Sequence, residues 1–175
     1  PNAGHAEIRS SLMEVLQVFT IGGYDVTVHP TRAPRDLTET IKEMGADYDL
    51  IVCTGGDGTL NEVINGVVEY QNAAVTHFPG GSGNDTIKIF DDPAAFTSIE
   101  RLLDAEEARF DLIRCNDSYA LNVLSIGFDA RVGTDIARFK RLPLVSGKGA
   151  YILSIFSNML HGLTADYTVT LDSGE

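Results

Sequence analysis

The chain has 175 residues, of which 43% are hydrophobic, and a formal net charge of −12. This length fits one domain, or one domain and part of a second, and the apolar fraction is sufficient for a core. No apolar run is long enough to span a bilayer, and the acidic charge argues against general nucleic-acid binding, because a phosphate backbone would be repelled.

The first part of the chain alternates predicted helices and strands. Apolar residues at helical spacing up to Phe19 predict a first helix, which Gly22-Gly23 can end. The same spacing predicts a second helix between Pro34 and Gly45. Alternating or continuous apolar segments predict strands at Tyr24–His29, Leu50–Cys53 and Ala74–Phe78. Further helical patterns end at Val67, Phe90 and Leu103. Strand–helix alternation predicts an α/β fold with a parallel sheet covered by helices.

The pattern changes after about residue 105. A β-hairpin is predicted from Arg109–Cys115 and Ser118–Leu124 with a turn at Asn116-Asp117. Helical stretches follow near 131–140 and 149–161, and a strand at Tyr167–Leu171. We place a domain boundary near 106–110, so that residues 1–106 form the α/β domain and residues 107–175 begin a β-rich domain. We expect the chain to be a fragment at both ends.

Two cysteines lie on predicted strands, Cys53 in the first part of the chain and Cys115 in the hairpin. Both are interpreted as reduced, buried core residues, which indicates a cytoplasmic protein. The four histidines are scattered and show no metal-ligand spacing.

Two glycine-rich turns follow predicted strands and lead into helical segments. The first is Thr54-Gly-Gly-Asp-Gly-Thr59, and the second is Pro79-Gly-Gly-Ser-Gly-Asn-Asp85. Such turns present backbone N–H groups and a helix N-terminus, which suits phosphate binding. In a parallel sheet both turns lie at the carboxyl ends of strands, where ligands bind. The aspartate in each turn would repel a phosphate unless a cation such as Mg²⁺ lies between them.

Structural roles could also explain these acids. Thr59-Leu-Asn-Glu62 matches a capping box, and Asp57 could be a turn residue of the same kind. Asp85 could stabilise the following helix through its dipole. Asp111 lies in an apolar segment, where it could be a hydrogen-bonded core acid.

The sequence resembles the catalytic family of the diacylglycerol kinases, which includes bacterial lipid kinases and sphingosine kinases. The resemblance rests on Gly55–Thr59 with Asn61-Glu62 and Asn65-Gly66, and on Pro79–Asp85. Supporting matches are Asp111, Asn122, Gly127-Phe-Asp-Ala130 and Gly149-Ala-Tyr151, with Pro1-Asn-Ala-Gly4 resembling the tail of a family phosphate turn.

The resemblance implies a nucleotide-binding α/β domain of the NAD kinase and phosphofructokinase type, followed by part of a β-sandwich. It implies ATP and Mg²⁺ as cofactors and a lipid hydroxyl, such as that of diacylglycerol, as acceptor at a membrane surface. By position, an acidic cluster of Asp57, Asp85 and Asp111 would hold Mg²⁺ through water. The implied ATP contacts are Asn2, Gly4, Thr31, Gly55, Gly56, Asp57, Gly58, Thr59, Asn61, Glu62, Gly81, Ser82, Gly83 and Asn84.

The resemblance also implies a general base in the later part of the β-sandwich, which we expect to lie beyond the residues of this chain. We therefore expect the 175 residues to be inactive alone. An edge strand of the sheet or a face of the β-sandwich could form the interface of a homodimer.

Three other functions are consistent with parts of the pattern. An NAD kinase-like enzyme shares the Gly-Gly-Asp-Gly turn, and a non-catalytic ATP-binding regulatory module could use the same fold. A hydrolase would need Ser82 as nucleophile, but His161 is the single histidine downstream. The second glycine loop and the Asp111 segment favour the lipid kinases.

A basic segment stands out on this acidic chain. From Arg131 to Lys148 it carries five basic residues and one acid, and Arg138, Lys140 and Arg141 are mixed with apolar residues. This composition fits a membrane-interface contact, which would make the protein peripherally membrane-associated. A solvated helix end has the same composition, so both interpretations remain open.

Overall fold

The computed structural model describes residues 7–70, 72–81, 83–140, 142, 145, 147–160, 164 and 166–168. The chain divides into two compact units, one ending at Val123 and the other beginning at Leu124.

Two parallel strands form the centre of the first unit. Strand β1 (Leu50–Gly55) pairs with β2 (Ala74–Pro79), and the register places Leu50 beside Ala74 and Gly55 beside Pro79. Both strands and their parallel pairing agree with the sequence prediction. The helices of this unit are α1 (Glu7–Ile21), α2 (Asp36–Met44), α3 (Asp57–Val67) and α4 (Ile99–Leu103).

Helices cover both faces of this strand pair. Alternate residues of a strand point to opposite faces, so Ile51 and Cys53 pack on one side and Leu50 and Val52 on the other. The first side meets α2 and α3 through Ile41, Leu60, Val63 and Val67. The second side meets α1 and α4 through Val15, Phe19, Ile99 and Leu102.

Gly66 and Asn65 of α3 hold neighbouring elements against this helix. A Cβ atom at Gly66 would lie 2.7 Å from the Cβ atom of Ile41, so glycine allows α2 and α3 to approach closely. Asn65 holds the hairpin formed by β3 (Ile113–Cys115) and β4 (Ser118–Ala120). Its Nδ2 donates to the Tyr119 carbonyl (2.9 Å), and its Oδ1 accepts from the Tyr119 amide (2.8 Å).

Two predicted elements of the first unit differ in the structure. Tyr24–His29 pairs with no described strand, so the predicted strand is wrong. Alternation specifies two faces but supplies no ladder partner, and within this segment Val26 packs into the core. The helix predicted to end at Leu103 is two elements, a 3₁₀ turn at Pro93–Thr97 and α4, separated at Ser98, whose backbone is extended (φ −103°, ψ 115°).

The division between the compact units lies after Val123, and the domain boundary placed near 106–110 remains a prediction. The hairpin groups with the first unit because Asn65 joins β4 to α3. The assignment of residues 107–175 to a β-rich domain remains a prediction.

The second unit contains helices α5 (Phe128–Phe139) and α6 (Gly147–Leu160), close to the two predicted helical stretches. They pack through buried polar groups: Ser154 Oγ donates to the Val132 carbonyl (2.7 Å), and Asn158 Nδ2 donates to Asp135 Oδ2 (2.8 Å). Of the strand predicted at Tyr167–Leu171, the first two residues are not in a strand, and residues 169–171 lie outside the described residues. Within the described part of the chain, no helix has the length and apolar character needed to cross a bilayer.

The two cysteines have different surroundings. Cys53 is buried on β1, as predicted, and burial raises its pKa to about 12, with a further contribution from the negative charge of Glu62. Cys115 is exposed, which corrects the prediction of two buried thiols. Strand β3 belongs to a two-stranded hairpin and is exposed along its length, so its pattern of apolar residues does not indicate a core position.

This difference predicts the thiol chemistry of the folded protein. The thiolate is the reactive form, so Cys53 should be nearly inert to iodoacetamide at pH 8 while Cys115 is alkylated. Mass spectrometry should count one modified thiol in the native protein and two in guanidinium. Cys115→Ser should abolish the native reaction; if Cys53→Ser abolishes it instead, the assignment of the buried strand is wrong.

Candidate functional site: two glycine loops at one sheet edge

The carboxyl ends of β1 and β2 lie side by side, which brings the two glycine loops together. The register pairs Gly55 with Pro79, and the Gly80 amide donates to the Gly55 carbonyl (2.7 Å) just beyond the ladder. The first loop leads into α3 at Asp57, and the second into a 3₁₀ turn at Thr86–Ile89. The predicted edge with two glycine turns is therefore present in the structure.

Glycine is required where the loops touch. A Cβ atom at Gly81 would lie 2.5 Å from the Cα atom of Gly56, and one at Gly56 would lie 3.0 Å from the Cα atom of Gly81. Gly58 differs, because a Cβ atom there would meet nothing within 4 Å. Gly56 and Gly81 are thus explained by loop packing, whereas Gly58 has open space beside the first turn of α3.

Asp57 joins the two loops. Its Oδ2 accepts from the Asn84 amide (2.7 Å) and its Oδ1 accepts from the Asp85 amide (2.6 Å). A Cβ atom at Gly83 would lie 2.5 Å from Asp57 Oδ2, so the second loop fits closely around the carboxylate. Two amide dipoles and the N-terminus of α3 therefore offset the negative charge of Asp57.

The capping-box interpretation of Thr59 and Glu62 is wrong. Helix α3 begins at Asp57, with Gly56 as its N-cap and no side-chain capping bond, so Thr59 is inside the first turn. A Cβ atom at Gly55 would lie 2.6 Å from Thr59 Oγ1, which places the threonine against the end of β1. Asn61 is exposed and Glu62 half-buried on the same helix.

Asn84 shapes the second loop from within. Its backbone is left-handed (φ 51°), a conformation that asparagine tolerates better than most residues. Its Oδ1 accepts from the Gly81 amide (3.0 Å), and its Nδ2 donates to the Gly81 carbonyl (2.8 Å). The side chain predicted to contact ATP is therefore engaged in holding the loop closed.

Of the three predicted acids, the structure brings Asp57 and Asp85 together, and a shared contact of all three with Mg²⁺ through water remains a prediction. Asp85 lies beside Asp57 through its backbone, and its own carboxylate is 69% exposed and paired with Lys88 Nζ at 2.6 Å. Asp111 is exposed and precedes β3 by two residues, so the argument that it is a costly core acid does not apply. Within the described ranges, no three acidic, histidine or cysteine side chains are grouped closely enough to hold a metal ion.

The remaining predicted site residues divide into two groups. Thr31 is half-buried in the segment between α1 and α2. Asn2, Gly4, Ser82 and Arg141 lie outside the described residues, as does His161 of the hydrolase alternative.

Sequence reasoning missed His77, which lies on β2 just before the second loop. Its side chain is 3% exposed, and its Nε2 is 2.8 Å from the Gly55 carbonyl oxygen. The signal in the sequence was a histidine within an apolar strand that ends in a glycine loop.

Comparison with known proteins identifies the family. The sequence profile of the diacylglycerol kinase catalytic domain matches residues 1–115. The chain belongs to this family. It is 27% identical over 176 residues to a diacylglycerol kinase of Staphylococcus haemolyticus (strain JCSC1435), an alignment that covers 99% of this chain and 53% of the relative. A diacylglycerol kinase of Bacillus subtilis (strain 168) is 29% identical over 157 residues, with 87% of this chain and 51% of the relative covered.

Solved structures of the family share the fold. A diacylglycerol kinase structure from Bacillus anthracis str. Sterne matches with a TM-score of 0.65 and 23% identity, covering 80% of this chain and 50% of that chain. This similarity confirms the α/β fold with a parallel sheet for this family member. The chain spans about half the length of the relatives it matches.

The bonds from Asp57 make a prediction that does not depend on catalysis. Asp57→Asn replaces one acceptor with an NH₂ group that faces a backbone donor, so we expect a loss of about 1–3 kcal/mol in the free energy of unfolding. Urea denaturation measures this loss, and hydrogen exchange should show faster exchange at the Asn84 and Asp85 amides.

Asp36→Asn is the matched control, because Asp36 Oδ2 also accepts a backbone bond, from the Arg32 amide (2.9 Å), at an exposed position. We expect it to change stability by roughly 0.5 kcal/mol or less. Equal effects of the two substitutions would contradict the bridging role of Asp57.

Proposed function

We propose that the protein is an ATP- and Mg²⁺-dependent lipid kinase that transfers the γ-phosphate to a lipid hydroxyl, such as that of diacylglycerol. The observation that carries this proposal is the contact of two glycine loops at the carboxyl edge of parallel strands, in a chain of the diacylglycerol kinase family. We also propose an α/β domain of the NAD kinase and phosphofructokinase type, followed by the start of a β-sandwich.

The residues present fit a nucleotide phosphate. The open space at Gly58 lies beside the first turn of α3, where N–H groups are free of intrahelical partners and the helix dipole favours an anion. The glycine loops would bind phosphate oxygens, and Asp57 would hold the loops in register. Phosphoryl transfer depends mainly on such positioning and on charge neutralisation.

The acids fit Mg²⁺ through water better than through direct contact. Mg²⁺ is usually held by one or two carboxylates together with substrate phosphates and water, so a group of three ligands is not needed. The exposed carboxylate of Asp85 is suited to hold Mg²⁺ through water, since Asp85 is adjacent to Asp57, which accepts a hydrogen bond from its amide. Bound Mg²⁺ would supply charge neutralisation at the phosphates.

A transfer assay tests the proposal directly. The intact protein would be given γ-labelled ATP and Mg²⁺ with diacylglycerol, sphingosine, monoacylglycerol, phosphatidylglycerol or NAD as acceptor. We expect label in one lipid. Label in NAD alone would favour the NAD kinase-like alternative, and ATP binding without transfer to any acceptor would favour a non-catalytic module.

Gly58→Ala separates binding from folding in this assay. Alanine should stabilise α3 by about 0.5–1 kcal/mol, because glycine is unfavourable in a helix and no neighbour obstructs the new methyl group. The same methyl group would occupy the proposed phosphate space, so ATP affinity should fall by roughly tenfold or more, from about 1–3 kcal/mol of overpacking.

Gly133→Ala is the matched control. Gly133 is also a helical glycine with nothing within 4 Å of a new Cβ atom, but it lies on α5 in the other unit. It should leave ATP affinity unchanged. If Gly58→Ala binds ATP as well as Gly133→Ala does, the phosphate site is not at α3.

We further propose peripheral membrane association through the basic segment. Arg138 and Lys140 are exposed at the end of α5, where cations can meet anionic headgroups. Arg138→Glu with Lys140→Glu should weaken sedimentation with phosphatidylglycerol vesicles and leave ATP affinity unchanged. The interaction should also weaken at high salt; vesicle binding that is insensitive to both changes would exclude this contact.

A further inference from the structure

A buried histidine contacts the backbone of the first glycine loop. His77 lies two residues before the end of β2, opposite Cys53 in the ladder, and its side chain is 3% exposed. Its Nε2 is 2.8 Å from the carbonyl oxygen of Gly55, the last residue of β1. No part of the proposed phosphate chemistry uses this side chain directly.

The bond assigns the tautomer of the ring. A carbonyl oxygen can only accept, so Nε2 carries the hydrogen and donates to Gly55. The other ring nitrogen, Nδ1, is buried and has no hydrogen-bond partner among the described residues. Among those residues, the ring is therefore oriented by a single polar contact, the one to the glycine loop.

The Gly55 carbonyl accepts hydrogen bonds from two donors on the same side. Besides His77, the Gly80 amide donates to it (2.7 Å), so both donors come from β2 or the loop that follows it. The peptide bond is trans, and in a trans peptide the carbonyl and the next N–H point in opposite directions. The N–H of Gly56 therefore points away from His77 and Gly80.

We propose that His77 is a positioning residue for nucleotide phosphate binding: by donating from Nε2 to the Gly55 carbonyl, it fixes the direction of the Gly56 N–H. This inference rests on the proposed function. Glycine has no side chain through which the peptide could be held, so the direction of the peptide between Gly55 and Gly56 depends on the hydrogen bonds that the Gly55 carbonyl accepts. Without the histidine, the carbonyl keeps one of its two donors.

Three variants separate positioning from simple packing. His77→Gln retains a terminal N–H donor at about the reach of Nε2, and His77→Leu retains volume without a donor. Val75→Ala is the matched control, because Val75 lies on the same strand and packs against the core, but it pairs with Ile51, four residues before Gly55. A merely structural role for His77 would make His77→Leu behave like Val75→Ala.

Two measurements are made on each variant of the intact protein. Calorimetry with ATP and Mg²⁺ gives nucleotide affinity, and ¹⁵N NMR reports the His77 ring nitrogens and the Gly56 and Gly80 amides. We expect His77→Leu to lose about tenfold in affinity and His77→Gln to lie within about threefold of wild type, the range of one hydrogen bond. Val75→Ala should lower stability and leave affinity unchanged.

The expected NMR result is a hydrogen on Nε2 in wild type and a shifted Gly56 amide in His77→Leu that returns toward wild type in His77→Gln. A Gly56 resonance that is unchanged in His77→Leu, or an affinity equal to that of Val75→Ala, overturns the inference. Failure of the wild type to bind ATP would instead contradict the proposed function, and the amide resonances would still decide whether His77 orients the loop.

Discussion

The arrangement of the candidate site depends on the two hydrogen bonds that Asp57 accepts from the second glycine loop. Parallel pairing ends at Gly55 and Pro79, and beyond that point the ladder no longer holds the chain segments together. The carboxylate continues the connection by accepting the Asn84 and Asp85 amides. Because a bridged carboxylate is satisfied by backbone donors, its presence beside the proposed phosphate site does not require a directly bound cation.

Several small contacts support this bridge, and each uses a residue type for a specific reason. Gly56 and Gly81 allow the loop backbones to touch, since a Cβ atom on either would be too close to the other. Asn84 adopts a left-handed conformation and closes its own loop through Gly81. The buried His77 side chain contacts the first loop through a hydrogen bond to the Gly55 carbonyl. The loops are therefore ordered by the protein itself. This order reduces the entropic cost of fixing the loops when a ligand binds.

This organisation changes how substitutions at the site should be interpreted. Loss of activity on replacing Asp57 would not by itself show a chemical role, because the same change removes two bonds between the loops. Gly58 is a better probe, since it has open space around it and no packing role. Asn65 links α3 to the hairpin through the backbone of Tyr119. A substitution that displaces β4 would therefore also remove hydrogen bonds made by the helix that starts at Asp57.

The sequence by itself determined the elements whose signals are local. Apolar spacing predicted α1, α2, α3, β1 and β2, and the glycine turns predicted an edge where two loops meet. The tertiary structure decided the features that require a partner from elsewhere in the chain. Tyr24–His29 has a strand pattern but no ladder partner among the described residues, Asp111 is exposed, and the hairpin joins the first unit through Asn65. The roles of Asp57 and His77 belong to this second group, because a hydrogen bond is defined by the position of both its atoms, whereas periodicity describes one segment alone.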